Sequence, residues 1–165
     1  MEQIILTHLQ IEQKINRLAH QILENTFEEE HFFIAGIAGN GSLLATLLRD
    51  VIIQHSNQTI ELIEISMNKD QPLSAPIELS IPTEKIDNSC VILIDDVLNS
   101  GKTMQYALGK LLERPLRTIK TVALVDRKHR RYPIKADFVG LSLSTTLKEH
   151  VEVSLENGNY FAQLD

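Results

Sequence analysis

The sequence has very little of what marks disulfide-rich, membrane or zinc proteins. It contains one cysteine in 165 residues, so no internal disulfide can form. The place of Cys90 before an apolar run predicts a small core side chain rather than a nucleophile. Because there is no uninterrupted apolar stretch of about 18 residues and no charged-then-apolar leader, we expect a cytoplasmic protein without a membrane span. The six histidines lack metal-ligand spacing, and we predict no zinc site.

Positive charge is also scarce. The chain has 16 Lys and Arg residues against 22 Asp and Glu, which gives a net charge of −6 and a pI near 5.5. This balance argues against a large phosphate-binding surface, although it does not exclude RNA as a partner. Two local basic clusters are possible RNA patches, and a solvated face or a dimer contact explains them at least as well: Lys128, His129, Arg130 and Arg131 in the first, and Lys110, Arg114, Arg117 and Lys120 in the second.

The apolar residues alternate between strand and helix patterns. A hydrophobic content of 43% can fill the core of one compact domain, which we expect to span residues 1–165 without linker or repeat. The alternation predicts an α/β fold in which helices flank a mainly parallel central sheet. Predicted strands cover residues 31–37, 60–66, 90–95, 120–125, 138–143 and 151–155, and predicted helices cover 7–25, with a Thr7–Gln10 capping box, 42–54 and 102–113.

Residues 91–103 (VILIDDVLNSGKT) form the most informative segment. Four apolar residues predict a buried strand, and Asp95 and Asp96 follow near its carboxyl end, where α/β sheets bind ligands. Their carboxylates can accept hydrogen bonds from ribose hydroxyls or ligate Mg²⁺. The turn over residues 99–103 can direct backbone N–H groups at a phosphate. Taken alone, the two carboxylates could instead cap a helix. A P-loop is excluded because Asp96 stands where that motif needs glycine.

A second glycine-containing turn follows the first core strand. Residues 36–41 (GIAGNG) lie between a predicted strand and a predicted helix, so their backbone can also offer donors to an anion. Their glycines fall at the first, fourth and sixth positions, which does not match a dinucleotide-binding fingerprint. An ordinary strand-to-helix turn remains an alternative.

The segment 91–103 resembles the ribosyl-diphosphate signature of type I phosphoribosyltransferases, which bind 5-phosphoribosyl 1-diphosphate (PRPP). Residues 122–130 (VALVDRKHR) and 133–140 (PIKADFVG) resemble the branch of bifunctional pyrimidine operon attenuation regulators and uracil phosphoribosyltransferases. The similarity covers roughly residues 1–155. It implies a type I phosphoribosyltransferase fold with a core at about 30–145, a small hood, a mobile loop at about 67–88, and a homodimer or higher assembly.

The resemblance also implies a role for each part of the site. Asp95 and Asp96 would bind the ribose, and together with the diphosphate they would bind Mg²⁺. Lys69 would close over the site as a cationic catalytic residue. The 5-phosphate would lie on Val97, Leu98, Asn99, Ser100, Gly101, Lys102 and Thr103, and the diphosphate on Ala38, Gly39, Asn40 and Gly41. The base would lie near Val125, Asp126 and Arg127 and the segment after Gly140.

The chain departs from the family pattern at three places. Residues 68–70 (NKD) stand where the regulator branch carries an aromatic–arginine–aspartate run, so Lys69 keeps the positive charge of that arginine. Asn40 stands where members usually carry an arginine or lysine, and residues 144–149 (STTLKE) replace a Pro-Thr-Ser-Arg-Ser-Glu run, so its arginine is lost. Three functions therefore remain. The first is phosphoribosyl transfer from PRPP to a nucleobase, with uracil as the expected base. The second is nucleotide-responsive, RNA-binding transcription attenuation. The third is a catalytically weak PRPP or nucleotide sensor, motivated by Asn40 and Leu147.

Overall fold

A computed structural model describes residues 2–144, 146 and 149–165. Leu147 and Lys148 therefore lie outside the described residues, as does Thr145. The elements in chain order are β1 (Gln3–Leu6), α1 (His8–Thr26), β2 (His31–Ile37), α2 (Asn40–Ile52), β3 (Thr59–Ser66), β4 (Glu78–Leu79), β5 (Cys90–Leu98), α3 (Lys102–Leu111), β6 (Thr118–Asp126), β7 (Phe138–Ser142), β8 (Val151–Ser154) and β9 (Phe161–Leu164).

A six-stranded sheet with the order β4-β3-β2-β5-β6-β7 forms the centre of the fold. Its strands are parallel except β4, which pairs antiparallel with β3. Strand β5 is central and pairs on both sides. Its first six residues are buried, as a strand covered on both faces requires. The predicted mainly parallel α/β fold is confirmed.

The helices cover both faces of this sheet. Helices α1 and α2 pack with alternate residues of the strands, such as Ile34 and Ile92, in one core cluster. Helix α3 packs on the opposite face with Phe33 and Leu93. The predicted capping box of α1 is present, since the Thr7 hydroxyl accepts from Gln10 N and the Gln10 side chain accepts from Thr7 N. The chain thus enters α1 in a fixed direction.

A second, antiparallel sheet has the order β1-β9-β8, which we call the small sheet. The strands β1 and β9 were not predicted from the sequence, and the prediction that residues 151–155 belong to the mainly parallel sheet was wrong. The strands of the small sheet are only four residues long, so their alternation is too short to reveal which sheet they join. Val151, Val153 and Ala162 pack into the core cluster of α1 and α2.

The segment between β3 and β5, predicted as a loop or hairpin, contains the hairpin strand β4 and a 3₁₀ turn at Thr83–Ile86. Ile86 is fully buried, so this turn is anchored on the core. Cys90 is also buried, as predicted, and burial raises the pKa of its thiol to about 11, which keeps it protonated and unreactive. Within the described part of the chain, no helix is long and apolar enough to cross a bilayer.

The approach of β2 to α2 generates a testable prediction. A Cβ added at Gly36 would lie 2.5 Å from the backbone oxygen of Gly41, and neither backbone can move independently of its element. We expect Gly36→Ala to lower the free energy of unfolding by about 1–3 kcal/mol through overpacking. Urea unfolding measures this.

The matched control is Gly109→Ala in α3, where an added Cβ meets no atom within 4 Å. That variant should be as stable as the parent or more stable by up to about 1 kcal/mol, since alanine favours a helix over glycine. Equal stability of the Gly36 variant and the parent would contradict the close contact.

Candidate active site

The two adjacent carboxylates lie near the carboxyl end of the central strand, as predicted. Asp95 is only 5% exposed, and its Oδ1 accepts a hydrogen bond from the backbone N–H of Asp96 at 2.9 Å. Asp96 is half-buried, and its Oδ2 accepts from the side-chain amide of Asn40 at 3.1 Å. The pair can therefore present acceptors to hydroxyl groups or to a cation.

The environment of Asp95 opposes its negative charge. Burial, followed by the charge and side-chain hydrogen bond of Asp96, raises the pKa of Asp95 well above its usual value. The positive charge of Lys69 acts in the opposite direction and lowers this pKa. A titratable group shifted by burial and by a neighbouring like charge is typical of functional sites. Lys69 thus comes close to the acidic pair, where the resemblance implied that it acts.

The predicted phosphate-binding turn forms a small concave cavity. All seven residues predicted for the 5-phosphate line it, together with Asp95 and Met104, and its volume is about 40 Å³. This exceeds the ~10–15 Å³ that one water molecule needs. Gly101 has φ +88°, and an added Cβ would lie 2.6 Å from Ile134 Cγ2, so glycine is required there on two grounds. Helix α3 begins at the next residue, so its N-terminal N–H groups and dipole favour an anion in this cavity.

The turn over residues 36–41 lies beside the acidic pair. Gly39 has φ +94°, and Ala38 N donates to Ile65 O at 2.8 Å, which ties the turn to β3. A Cβ at Gly41 would come within 3.3 Å of Asp95 Oδ1. Asn40 directs its side chain into the site, where its Nδ2 contacts Asp96 and also donates to Val153 O of β8 at 2.8 Å. Of the four residues predicted for the diphosphate, Asn40 and Gly41 thus lie at the acidic pair, and the diphosphate-binding role stays a prediction.

A larger cavity of about 270 Å³ lies over the carboxylates. The predicted residues that line it are Asn40, Lys69, Asp95, Asp96, Val97, Asn99 and Thr103. Its other wall consists of His150, Val151, Glu152 and Val153 at β8, and none of these four residues was predicted individually, although the base was expected near the segment after Gly140. No signal in the sequence identified them, because a four-residue strand of a separate sheet has no fixed relation to the central strand.

The segment that carries Lys69 is fastened to the phosphate turn. Lys102 Nζ donates to the backbone oxygen of Asp70 at 2.8 Å, and Asn68 Oδ1 accepts from the backbone N–H groups of Asp70 and Gln71. Lys102 therefore joins the start of α3 to the segment after β3. Its ammonium group lies on a backbone carbonyl rather than in the small cavity.

The three residues predicted for the base do not line the cavity over the carboxylates. The side chain of Val125 is fully buried, and Asp126 forms an ion pair with Arg130 at 2.7 Å. Arg127 is 7% exposed and donates to Asn99 Oδ1 at 3.1 Å, to Thr146 O at 3.1 Å and to Glu149 O. Arg127 thus reaches the cavity through Asn99, and the base-binding role stays a prediction.

The carboxylates suit a cation that arrives with a substrate. The described residues contain no group of three or more His, Cys, Asp or Glu side chains that could hold a metal ion. Mg²⁺ binds through one or two carboxylates when substrate phosphates and water supply the remaining oxygens. Asp95 and Asp96 fit that limited share of a coordination shell.

The two basic clusters differ in the structure. In the second cluster, Arg114 pairs with Asp87, Arg117 with Glu29 and Lys110 with Glu113. In the first cluster, Arg130 pairs with Asp126, whereas Lys128 and Arg131 are exposed. The second cluster therefore contributes little net positive potential.

Comparison with known proteins gives one family match and many relatives. The model of the phosphoribosyl transferase domain matches residues 2–157. Proteins named bifunctional protein PyrR are 37% identical in Staphylococcus aureus, over 94% of this chain and 93% of that protein, and 32% identical in Haemophilus ducreyi, over 99% and 96%. The relative of that name from Streptomyces coelicolor is 38% identical over 86% of this chain and 77% of its own length.

Solved structures of hypoxanthine phosphoribosyltransferases share the fold. The enzyme of Trypanosoma cruzi superposes with a TM-score of 0.77 over 97% of this chain and 95% of that chain at 15% identity. The enzyme of Staphylococcus aureus gives 0.72 over 88% and 80% at 18% identity. At this level of identity the likeness establishes the fold and carries nothing about the substrate.

The raised pKa of Asp95 predicts how stability depends on pH. The pKa of Asp95 is higher in the folded protein than in the unfolded chain. Between these two pKa values the folded state binds more protons, so the free energy of unfolding falls as pH rises through this range. We expect Asp95→Asn, which mimics the neutral acid and keeps an oxygen for Asp96 N, to be more stable than the parent at neutral pH. This difference in stability between Asp95→Asn and the parent should vanish below the pKa that Asp95 has in the unfolded chain.

Urea unfolding from acid to neutral pH measures this difference. Asp70→Asn, which neutralises an exposed carboxylate, is the control and should leave the profile unchanged. A neutral-pH loss of stability in Asp95→Asn would show that the buried carboxylate is compensated rather than strained.

Proposed function

The chain belongs to the phosphoribosyl transferase family, and from this premise we propose that it transfers the phosphoribosyl group of PRPP to a nucleobase, with uracil as the base. The predicted family membership, fold class and enzyme class, a pentosyltransferase, are confirmed. The observation that carries the proposal is the placement of the buried acidic pair between two anion-suited turns.

In the proposed complex the sugar phosphate spans the two cavities. The 5-phosphate lies in the cavity of residues 97–103, on the N-terminus of α3, and the ribose hydroxyls donate to the carboxylates of Asp95 and Asp96. The diphosphate lies toward the turn of residues 38–41. Each contact uses a group that the chain positions by backbone or by buried packing, so little reorganisation is needed on binding.

The reaction breaks the bond from the anomeric carbon to the diphosphate oxygen and forms a bond from that carbon to a base nitrogen, whose proton goes to the departing diphosphate or to water. The transition state is similar to an oxocarbenium ion, and the carboxylates of Asp95 and Asp96 favour the positive charge that develops on the sugar. Lys69 lies near the same pair and can offer a positive charge to the departing diphosphate. When bound, Mg²⁺ supplies further neutralisation of that leaving group.

Diphosphate release tests this function. The protein is incubated with PRPP, Mg²⁺ and, in turn, uracil, hypoxanthine, guanine, adenine, xanthine and orotate. We expect turnover with uracil, and we expect Asp95→Asn/Asp96→Asn to lower it by at least about 10²-fold, since two acceptors for the ribose and its developing charge are lost.

Glu28→Gln is the control, because it also neutralises a carboxylate but at an exposed position outside the carboxylate cavity. It should retain the parental rate. An absence of turnover with every base, with PRPP still bound, would replace the proposed enzyme with a ligand sensor.

A second function is supported by the name of the relatives, which calls them bifunctional, and by the exposed pair Lys128 and Arg131. In this alternative the protein binds a pyrimidine leader RNA when a nucleotide occupies the site. The ion-paired state of the second cluster limits the surface to the first cluster and its surroundings. The net charge of −6 predicts weak, strongly salt-dependent binding.

Gel retardation of such an RNA with and without UMP at moderate salt tests the second function. We expect Lys128→Gln/Arg131→Gln to weaken binding and to reduce the slope of log affinity against log salt by about 1.5, because two phosphate contacts are lost. Lys14→Gln/Lys85→Gln removes the same charge elsewhere and should leave the slope unchanged. If the RNA is retarded equally with and without UMP, and equally by the parent and by Lys128→Gln/Arg131→Gln, this function is excluded.

A further inference from the structure

Both protons of the Asn40 side-chain amide nitrogen are used by contacts within the protein. Its Nδ2 donates to Asp96 Oδ2 at 3.1 Å and to the backbone oxygen of Val153 at 2.8 Å. Both partners are acceptors, and an amide nitrogen carries two protons, so each proton has one partner. Neither proton is left to donate to a third group such as a diphosphate oxygen.

These two bonds join three separate parts of the fold at one atom. Asn40 begins α2, Asp96 belongs to β5 of the large sheet, and Val153 belongs to β8 of the small sheet. The backbone before and after Asn40 is tightly constrained, because Gly39 has φ +94° and Gly41 packs against Ile94 O and Asp95 Oδ1. The position of the amide is therefore set by the turn rather than by its own rotamer alone.

Asp96 depends on this contact for its orientation. It is the more exposed member of the acidic pair, so solvent would otherwise allow its carboxylate several rotamers. A hydrogen bond from a neutral amide to a carboxylate is stronger than one between neutral groups and fixes one oxygen. The Asp95 side chain also hydrogen-bonds to this carboxylate, so Asn40 and Asp95 together keep it in one orientation toward a hydroxyl group of a ligand.

We propose that Asn40 is a positioning residue that orients the Asp96 carboxylate toward the ribose and holds β8 against the acidic pair. This inference rests on the proposed function, because it assigns the ribose to Asp96. It also separates the Asn40 side chain from the diphosphate, which is left to backbone N–H groups of the turn other than that of Ala38, since Ala38 N donates to Ile65 O. Substitution at this position should weaken ribose recognition and spare diphosphate recognition.

Calorimetric titration of the intact protein with two separate ligands tests this separation. The ligands are ribose 5-phosphate, and inorganic diphosphate with Mg²⁺. We expect Asn40→Ala to weaken ribose 5-phosphate about tenfold, the effect of one hydrogen bond to a charged group, and to leave diphosphate within about twofold. Asn40→Asp is isosteric but places an acceptor against two acceptors, so it should weaken ribose 5-phosphate further than alanine does.

Thr46→Ala is the control for disturbance of α2, since the Thr46 hydroxyl donates to Ser42 O within the helix at 3.1 Å and, among the described residues, makes no contact with the acidic pair. It should bind both ligands like the parent. Loss of diphosphate affinity in Asn40→Ala with unchanged ribose 5-phosphate affinity would overturn the inference in favour of a direct diphosphate contact. Failure of the parent protein to bind either ligand would instead overturn the proposed function itself.

Amide hydrogen exchange in the ligand-free protein tests the second half of the inference independently of any ligand. We expect faster exchange in β8 in Asn40→Ala than in the parent and in Thr46→Ala, because the tether to Val153 is lost. Unchanged exchange in β8 would show that the small sheet is held by its core packing alone and would overturn that half.

Discussion

A buried carboxylate near the end of the central strand is the constraint around which this site is built. Asp95 is removed from solvent and faces the charge of Asp96, which makes its ionised form unfavourable. The surrounding structure offsets part of this cost: the backbone N–H of Asp96 donates to it, Lys69 lies near it, and Gly41 leaves room for its oxygen. A ligand that brings hydroxyl donors or a cation relieves the remainder. In the proposed complex, such a ligand would therefore bind more favourably because it offsets the cost of the Asp95 charge.

The two sheets divide the work in the proposed reaction. The large sheet brings two strand-to-helix turns to one edge, and both turns are shaped by positions that accept only glycine, Gly36 and Gly101 among them. These turns present backbone donors, whose geometry does not depend on side-chain rotamers. The small sheet closes the cavity from the other side. Two side chains join it to the large sheet: Asn40 donates to β8, and Arg127 donates to the backbone of residues that precede β8. In the proposed reaction the turns of the large sheet bind the phosphates, and the side-chain contacts between the two sheets set the space that remains for the base.

The sequence predicts the large sheet well because its signal is local. Continuous apolar strands, a capping box at Thr7 and glycines at turns each act within a few residues, and the boundaries of β2 follow directly from them. The small sheet depends on contacts between residues about 160 positions apart in the chain, such as Gln3 with Leu164, and no short pattern encodes such a pairing. The same limit applies to the site: Asp95, Asp96 and the turns are contiguous motifs, whereas His150, Glu152 and the contact of Asn40 with Val153 arise only from tertiary packing.

The distribution of charged side chains decides whether they stabilise the cationic sugar or the anionic diphosphate in the proposed transition state. Of the described residues that line the cavity over the carboxylates, Lys69 is the one Lys or Arg, against Asp95, Asp96 and Glu152. Arg127, Arg130 and Lys102 lie nearby but donate to protein oxygens. Side-chain charge therefore favours the cationic sugar more than the anionic diphosphate. Neutralisation of the leaving group then falls on backbone N–H groups, Lys69 and Mg²⁺, so the rate of this chain should depend more steeply on Mg²⁺ than that of a site with an arginine in the diphosphate turn.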